Sequence, residues 1–398
     1  MVQEDNQSER EWEIEQSYLK DLSIEINSLR EQLIQPLHQE VQQLEEKKVR
    51  LLQEIEQLEL QKEVITPPPK PQLQKSFLTK LGFFLAFFST LCLACQNIVI
   101  AIILNPSSVF GNFATGGYLT PGVTNSLLIL WLRMLVVVPL LFIVSRFIHP
   151  SSWQVIKKVI DCQDWGLTSK VIACGFLLFL SQLLIYLSLG FLPVGVAVTL
   201  FFIFPLATIL FTWFLFGESP NLIRTIIIVI TAVGLLLTIL LGKQGEVSFS
   251  WLGITTAIGS GITFAIYLLI TQLCAKKLHP VPFSVLNFLS ILLFSFLGLL
   301  IILPFNNQFS LEPEIWTKLI ISGFLLGTLT LLSYLSSNIS IRFIGAGASS
   351  TIGAVNPGLT ACLGWFILGQ GLGKQFWGIG LVTFGIIALS LVRISSRK

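Results

Sequence analysis

Leu192–Leu241 reads LPVGVAVTLFFIFPLATILFTWFLFGESPNLIRTIIIVITAVGLLLTILL, two long apolar runs around the short polar turn Gly217–Asn221. Each run is long enough to cross a bilayer core, which takes roughly 20 residues as a helix. A second copy follows 152 residues later: Pro205, Thr208, Trp213, Phe214 and Gly217 recur as Pro357, Thr360, Trp365, Phe366 and Gly369. The same register runs upstream without a gap, pairing Gly175 with Gly327, Ser181 with Ser333, Ser188 with Ser340, Phe191 with Phe343, Gly195 with Gly347 and Thr199 with Thr351. A leucine-rich composition matches leucines by chance, but not prolines, tryptophans and several glycines at one spacing. The chain contains an internal duplication of a membrane unit.

Composition agrees. Of 398 residues 53% are hydrophobic and only 12% charged, the balance of an integral membrane protein. The charge is unevenly placed: residues 1–66 carry sixteen acidic and seven basic side chains, the rest six acidic and eighteen basic. The basic residues sit in short loops between apolar runs rather than on one patch, so nucleic-acid binding is not indicated. Cys92, Cys95, Cys162, Cys174, Cys274 and Cys362 lie mostly inside apolar runs. Cys92 and Cys95 have C-x-x-C spacing, but no further Cys or His stands near enough to complete a metal site. The acidic, polar start is not a cleavable signal peptide, and the first apolar span has to serve as the insertion signal.

In residues 1–66, Trp12, Leu19, Leu22, Ile26, Leu29 and Leu33 form one apolar seam, and Leu37, Val41, Leu44, Leu51, Ile55, Leu58 and Ile65 another. This is heptad patterning shifted at Pro36, read as one broken helix or an antiparallel hairpin in a coiled coil. It is an oligomerisation or docking arm, or simply a helical tail. The Pro-rich linker 67–77 ends it. Ten apolar spans follow, at about 81–104, 125–145, 169–189, 193–216, 221–241, 251–274, 283–304, 318–340, 345–368 and 373–393. In lipid an open chain satisfies its backbone only as helices. With the amino terminus cytoplasmic, fourteen Lys and Arg fall inside, against only Lys243, Lys318 and Lys374 outside. Both ends are then cytoplasmic in a multi-pass membrane protein, and the Phe-rich, disulfide-poor character fits a bacterial inner (plasma) membrane. The expected fold is all-α: ten transmembrane helices as two inverted five-helix repeats, 78–241 and 251–393, behind a cytoplasmic coiled coil. Five is odd, so the second copy enters from the opposite side, the design by which pseudo-symmetric transporters alternate between inward-open and outward-open states. Asn105–Asn125, uncharged and rich in Gly, Ser, Thr and aromatics, has no counterpart before span seven. It reads as a lid or as a tolerated insertion.

Each unit has a Pro followed twelve residues later by Gly-Glu or Gly-Gln at a span end, then a further span with a Gly midway: Pro205, Gly217, Glu218 and Gly234, then Pro357, Gly369, Gln370 and Gly385. In this the chain resembles the EamA-type members of the drug/metabolite transporter superfamily, over about residues 78–393. The resemblance implies ten helices around a central cavity, a small-molecule substrate, no cofactor and no ATP site. Gln370 stands where the second unit of that family usually has Glu, and the amino-terminal coiled coil lies outside the family pattern.

Enzymatic constellations are absent from the pattern: no His lies in a span, no carboxylate sits near the midplane, and no Walker A sequence or metal-ligand spacing occurs. A proton relay through Asp, Glu or His has nothing to run on. Arg133 is the one ionisable residue well inside a span; it binds a substrate carboxylate or phosphate, or it bonds neighbouring carbonyls and fixes packing. Aligning WLRML (131–135) with VLNFL (285–289) sets Asn287 opposite it across the pseudo-twofold. Gln96, Asn97, Gln182, Tyr186, Tyr267, Tyr334 and Asn338 are the other polar candidates, lining a cavity or bonding helix to helix. Gln182 and Tyr186 share a helix face, as do Tyr334 and Asn338. Pro205 and Pro357 are gating bends or static kinks, and Glu218 is a structural residue of the turn, placed to pair with Arg224. The leading reading is a secondary transporter of small polar metabolites; the alternative is a membrane-anchored scaffold or sensor whose coiled coil does the work.

Overall fold

The computed structural model describes residues 20–31, 39–54, 72–111, 113–148, 152–161, 164–217, 221–242, 250–274, 277–305, 313–371 and 373–395. The chain forms two units, Met1–Lys75 and Ser76–Lys398. In the first, residues 20–31 and 39–54 are helical and exposed along their whole length. Pro36 and the junction between the two heptad seams lie outside the described residues, as do Glu218 and residues 67–71 of the linker; residues 72–77, expected in the linker, are already helical.

The second unit is a helical bundle. Its elements are α1 (Gln72–Leu104), a hairpin of β1 (Pro106–Val109) and β2 (Phe113–Gly116), α2 (Val123–Ile148), α3 (Ser152–Ile160), α4 (Trp165–Phe191), α5 (Val194–Phe201), α6 (Phe204–Phe216), α7 (Leu222–Gly242), α8 (Trp251–Cys274), α9 (Pro280–Ile302), α10 (Pro313–Gly353), α11 (Asn356–Leu368) and α12 (Gln375–Ser395). They supply ten segments long and apolar enough to span a membrane, each within a few residues of its expected position. These sequences are helical because no water is available to the backbone of an apolar run of this length.

The duplication reappears in the breaks. Span four is interrupted at Phe202–Ile203 and span nine at Ala354–Val355, one turn each, with Pro205 and Pro357 in the first turn of the helix that resumes. At the break the Ile203 N–H donates to the Leu200 carbonyl at 3.1 Å and the Val355 N–H to that of Ile352 at 3.1 Å, so the chain tightens to i−3 bonds. A proline in a first turn leaves no bond missing, because that N–H has no intrahelical partner anyway. The kink therefore belongs to the tight turn, and proline marks its end rather than causing it. Both copies stop on a left-handed residue, Gly217 (φ 71°, ψ 8°) and Gly369 (φ 63°, ψ 16°), a conformation any side chain would strain.

Packing pairs the same way. Ser181 of α4 and Ser260 of α8 each donate to the other's carbonyl, at 3.0 and 2.7 Å, and Ser89 of α1 and Ser333 of α10 do the same at 2.8 and 2.9 Å. Gly175 lets α4 close on Ser290 of α9, and its repeat partner Gly327 lets α10 close on Val136 of α2. Small residues at such crossings are what let helices approach in lipid, where no hydrophobic force drives them together.

The helix ends meet in two sets. At the face reached by the end of α1, Asn105 Nδ2 donates to the Leu189 carbonyl at 3.0 Å, and the Val194 N–H to Gln370 Oε1 at 3.1 Å. There too the Phe110 N–H reaches the Ile367 carbonyl at 2.8 Å, and Gly253, near the start of α8, abuts Leu192. At the opposite face Ser340 Oγ donates to the Gly82 carbonyl at 2.9 Å, and Lys277 Nζ to Asp164 Oδ2 at 2.9 Å. We call these the far and near faces.

The segment 105–125 is an ordered element. Pro106–Val109 pairs antiparallel with Phe113–Gly116, and the Gly117 and Leu119 N–H groups cap the last carbonyls of α1 at 2.9 and 3.1 Å. Phe110 at the tip sits at φ 53°, uncommon for a bulky residue. Its ring meets Phe366 edge-on at 5.6 Å, so the tip is held on the end of α11.

Candidate functional site

Within the bundle, α1, α2, α4, α9 and α10 surround a cavity of about 270 Å³. Its lining mixes polar side chains, Arg133, Gln182, Gln96, Thr330, Ser89, Ser333 and Ser337, with the apolar Leu93, Leu178, Phe288, Ile291 and the Tyr334 ring. Arg133 lies ten residues into α2, about 15 Å along its axis. That is half the depth of a hydrocarbon core of about 30 Å. A larger hollow of about 490 Å³ between α5, α6, α7 and α8 is lined only by Leu, Ile, Ala and Phe, and offers no group that could orient a solute.

Arg133 is 2% exposed. Its Nη2 donates to Gln182 Oε1 at 3.1 Å, and its guanidinium carbon stands 5.3 Å from the centre of the Tyr186 ring. Arg133 Nε and the Tyr186 hydroxyl are buried without a hydrogen-bond partner. The Thr330 hydroxyl stands 2.7 Å from both the Gln96 side-chain amide and the Leu326 carbonyl, and its one proton serves only one of them. Ser89 and Ser333 have committed their protons to each other's backbone; they join α1 to α10 and present only lone pairs.

The sequence-predicted residues separate into groups. Arg133, Gln96, Gln182 and Tyr334 come together around the cavity, with Tyr186 packed behind Arg133. Asn287 is buried, but its Nδ2 donates to the Tyr267 hydroxyl at 3.4 Å and its Oδ1 has no partner; neither residue lines the cavity. Asn338 turns its amide back to the Tyr334 carbonyl at 2.8 Å, and Asn97 is half-buried outside the lining. Gln370 works at the far face, bonded to Val194. Sequence reasoning missed Ser89, Thr330, Ser337 and Phe288. Ser333 had surfaced only as a repeat match of Ser181, and nothing in the pattern pointed to Ser89, its actual partner.

The electrostatics are one-sided. Arg133 is the one buried cation among the described residues, and a guanidinium does not give up its proton. The described carboxylates of this unit, Asp161, Asp164 and Glu314, lie outside the middle of the spans. Asp164 caps α4 by accepting from the Leu167 N–H at 3.1 Å and pairs with Lys277; that ammonium, then the backbone N–H, hold its carboxyl below the usual carboxylate range. Glu314 pairs with Lys318 at 2.7 Å. No group of three metal-ligating side chains occurs among the described residues.

A ten-span apolar bundle with a cavity of mixed polar and apolar lining among its helices defines an integral, multi-pass membrane protein. Residues 251–391 match the EamA-like transporter family. The uncharacterized transporter sll1319 of Synechocystis sp. is 34% identical over 316 residues, covering 79% of this chain and 94% of its own length. The chain belongs to the EamA-like transporter family, of the drug/metabolite type, which is a class of membrane transporters and not of enzymes. A crystal structure described only as that of a protein aligns with 81% of this chain and 99% of its own, at 16% identity and a TM-score of 0.48, too distant to bear on fold or function.

Proposed function

We propose that this protein is a secondary transporter that moves small polar metabolites through the central cavity by alternating access. The observation that carries the reading is the cavity itself: it lies at mid-depth and draws on both copies of the duplication, Gln182 from one and its repeat partner Tyr334 from the other. Carriers built from repeats bind at that place. The two copies run in opposite directions through the bilayer. Support comes from the start of α8, which sits beside Leu192 at the far face, whereas the first copy starts at the near face. The excess of Lys and Arg at near-face loops makes that face cytoplasmic, with both termini, in a bacterial inner membrane. Arg133, Gln96, Gln182 and Tyr334 hold the solute; Tyr186, Asn287, Tyr267, Asn97 and Asn338 support the helices around it. The breaks beside Pro205 and Pro357 are the bending points.

Reconstitution of the full chain in proteoliposomes tests this. Counterflow of a labelled metabolite first found to stabilise the purified protein is the expected result; a stabilising ligand that never crosses would overturn it. The scaffold reading draws on one observation, the exposed apolar residues Leu22, Ile26, Leu29, Leu44 and Leu51 of the amino-terminal helices, which fit a self-association or docking arm. Removing residues 1–66 decides: full flux by the truncated chain makes the arm accessory.

A further inference from the structure

We infer that the central cavity takes an organic monoanion, a single carboxylate on an apolar body, and that each uniport cycle carries that charge across the membrane. The inference rests on the transporter reading above and adds the substrate class and the driving force.

The argument starts from a missing counter-charge. A permanently charged guanidinium at mid-depth is costly in lipid unless it is paired or wet. Among the described residues no carboxylate lies in the middle of a span, and the two described acids that form ion pairs in this unit, Asp164 and Glu314, spend their charge on Lys277 and Lys318 at the helix ends. Gln182 answers one N–H of Arg133 with a neutral oxygen, and Nε answers to nothing. A guanidinium carries five N–H donors in a planar fork suited to a two-oxygen anion. The neighbouring amide is set for the same purpose: with Gln182 Oε1 held by Arg133, its N–H groups are left to donate.

Charge counting then narrows the class. One buried cation balances one negative charge, so a dianion would leave half of its charge unanswered. Phosphate monoesters carry about −1.5 to −2 at neutral pH and are excluded with the dicarboxylates. No acidic side chain lines the cavity, so an α-ammonium finds no partner, and an amino acid binds more weakly than its des-amino analogue. Leu93, Leu178, Phe288, Ile291 and the Tyr334 ring give the rest of the ligand an apolar seat. A cavity of about 270 Å³ lies just below the usual range for drug-sized ligands, which suits a small metabolite.

Direction follows. With no carboxylate or histidine described in the middle of the spans, the protein carries the same charge loaded or empty apart from the ligand's own. Uniport of a monoanion moves one negative charge per cycle. A potential of 100 mV, inside negative, then sustains an outward gradient of about fifty-fold. Under uniport this is an exporter.

The test uses the purified full-length chain and four probes: 3-phenylpropanoate, its neutral isostere 3-phenylpropanamide, phenylalanine with an added ammonium, and phenylsuccinate with a second carboxylate. Thermal stabilisation should report 3-phenylpropanoate binding at least about tenfold tighter than each of the others. Arg133→Gln should erase the preference of the carboxylate over the amide. Gln182→Glu supplies Arg133 with an internal counter-charge; it should fold and lose the carboxylate, so the test survives if Arg133→Gln does not fold. Equal binding of amide and carboxylate, unchanged carboxylate binding by Gln182→Glu, stabilisation by chloride alone to the same degree, or no stabilisation by any probe would each overturn the inference. In proteoliposomes a valinomycin-imposed, interior-negative potential should speed carboxylate efflux, and an efflux rate indifferent to the potential would remove the electrogenic step. Selective binding without flux would leave the site standing and sink the transporter reading; flux of amide and carboxylate alike would do the reverse.

Discussion

Arg133 concentrates the difference between a site and a strut. A buried arginine that holds helices together is matched by acceptors, and removing it leaves them unsatisfied. This one has a single amide oxygen, an aromatic face and an orphan Nε. Its charge is a cost that the ligand-free protein carries without return. Arg133→Met should therefore raise the thermal stability of the empty protein, by about 1–2 kcal/mol, since apolar replacements of poorly compensated buried charge are often stabilising. Unfolding in detergent micelles without added anion measures it, and a fall of the same size would assign Arg133 to packing. The serine pairs are the opposite case. Ser89 with Ser333, and Ser181 with Ser260, exchange hydroxyl–carbonyl bonds between helices, an interaction worth about 0.6 kcal/mol each in lipid. Ser89→Ala and Ser181→Ala should lower stability by similar small amounts and leave ligand affinity almost unchanged. These serines were hidden in the sequence for a physical reason. Most Thr and Ser in the spans, among them Thr199, Thr208, Thr231 and Thr238, turn their hydroxyls onto the carbonyl four residues back. Composition cannot tell such a self-satisfied hydroxyl from one that crosses to a neighbour.

The spans themselves were legible to within a few residues, because in lipid length and apolarity settle the matter. Their rotation was not. When the lipid-facing and protein-facing sides are both apolar, no stripe marks which side turns inward, and Asn287 and Asn97 were counted with Gln96 although the cavity takes only the last. Two elements also escaped: the hairpin 106–116, whose Gly and Ser suggested a loop, and the short helix Ser152–Ile160 between spans two and three. Where chain chemistry rather than burial fixes the conformation, the reading holds. Gly217 and Gly369 end their helices in the left-handed region, and Gly→Ala at either should cost about 1 kcal/mol in stability. The prolines were expected as kinks and turned out to follow one. Each stands in the first turn after a tight break, fixing φ where the helix restarts. If the break is the bending point, Pro205→Ala and Pro357→Ala should let the two pieces fuse into one straighter helix. Ligand affinity should hold while the counterflow rate falls about tenfold; equal loss of both would make the prolines part of the binding shape instead.

For the molecule as a whole, alternating access demands that ties across the two halves break at one face while they hold at the other. Across the far face the hairpin tip grips α11 and Gln370 grips Val194, contacts made largely of backbone. Across the near face the Asp164–Lys277 pair is an exposed ion pair at 2.9 Å, the most readily broken of these ties. Its strength is set by charge, so the sign of its pH dependence can be worked out. The carboxyl is held below its ordinary value in the folded protein, so its contribution is complete above the unfolded pKa of about 3.9 and is lost as pH falls through the lower folded value. At neutral pH the tie is fully made, and proton concentration does not operate it. Substitution does. Asp164→Asn keeps an equally good cap for α4 while removing the charge, and should shift the population toward the state open at the near face by no more than about fivefold, the limit for an exposed pair. Asp164→Lys adds repulsion and should shift it further, and Lys277→Asp in the same chain should bring it back. Thiol labelling of Ser333→Cys, introduced in the lining of the cavity in a background without the native cysteines, reads the near-face population from that side of the membrane. Labelling rates that do not move among these variants would mean that the near face opens without parting α4 from the loop before α9, and the hinge would have to be sought elsewhere in the bundle.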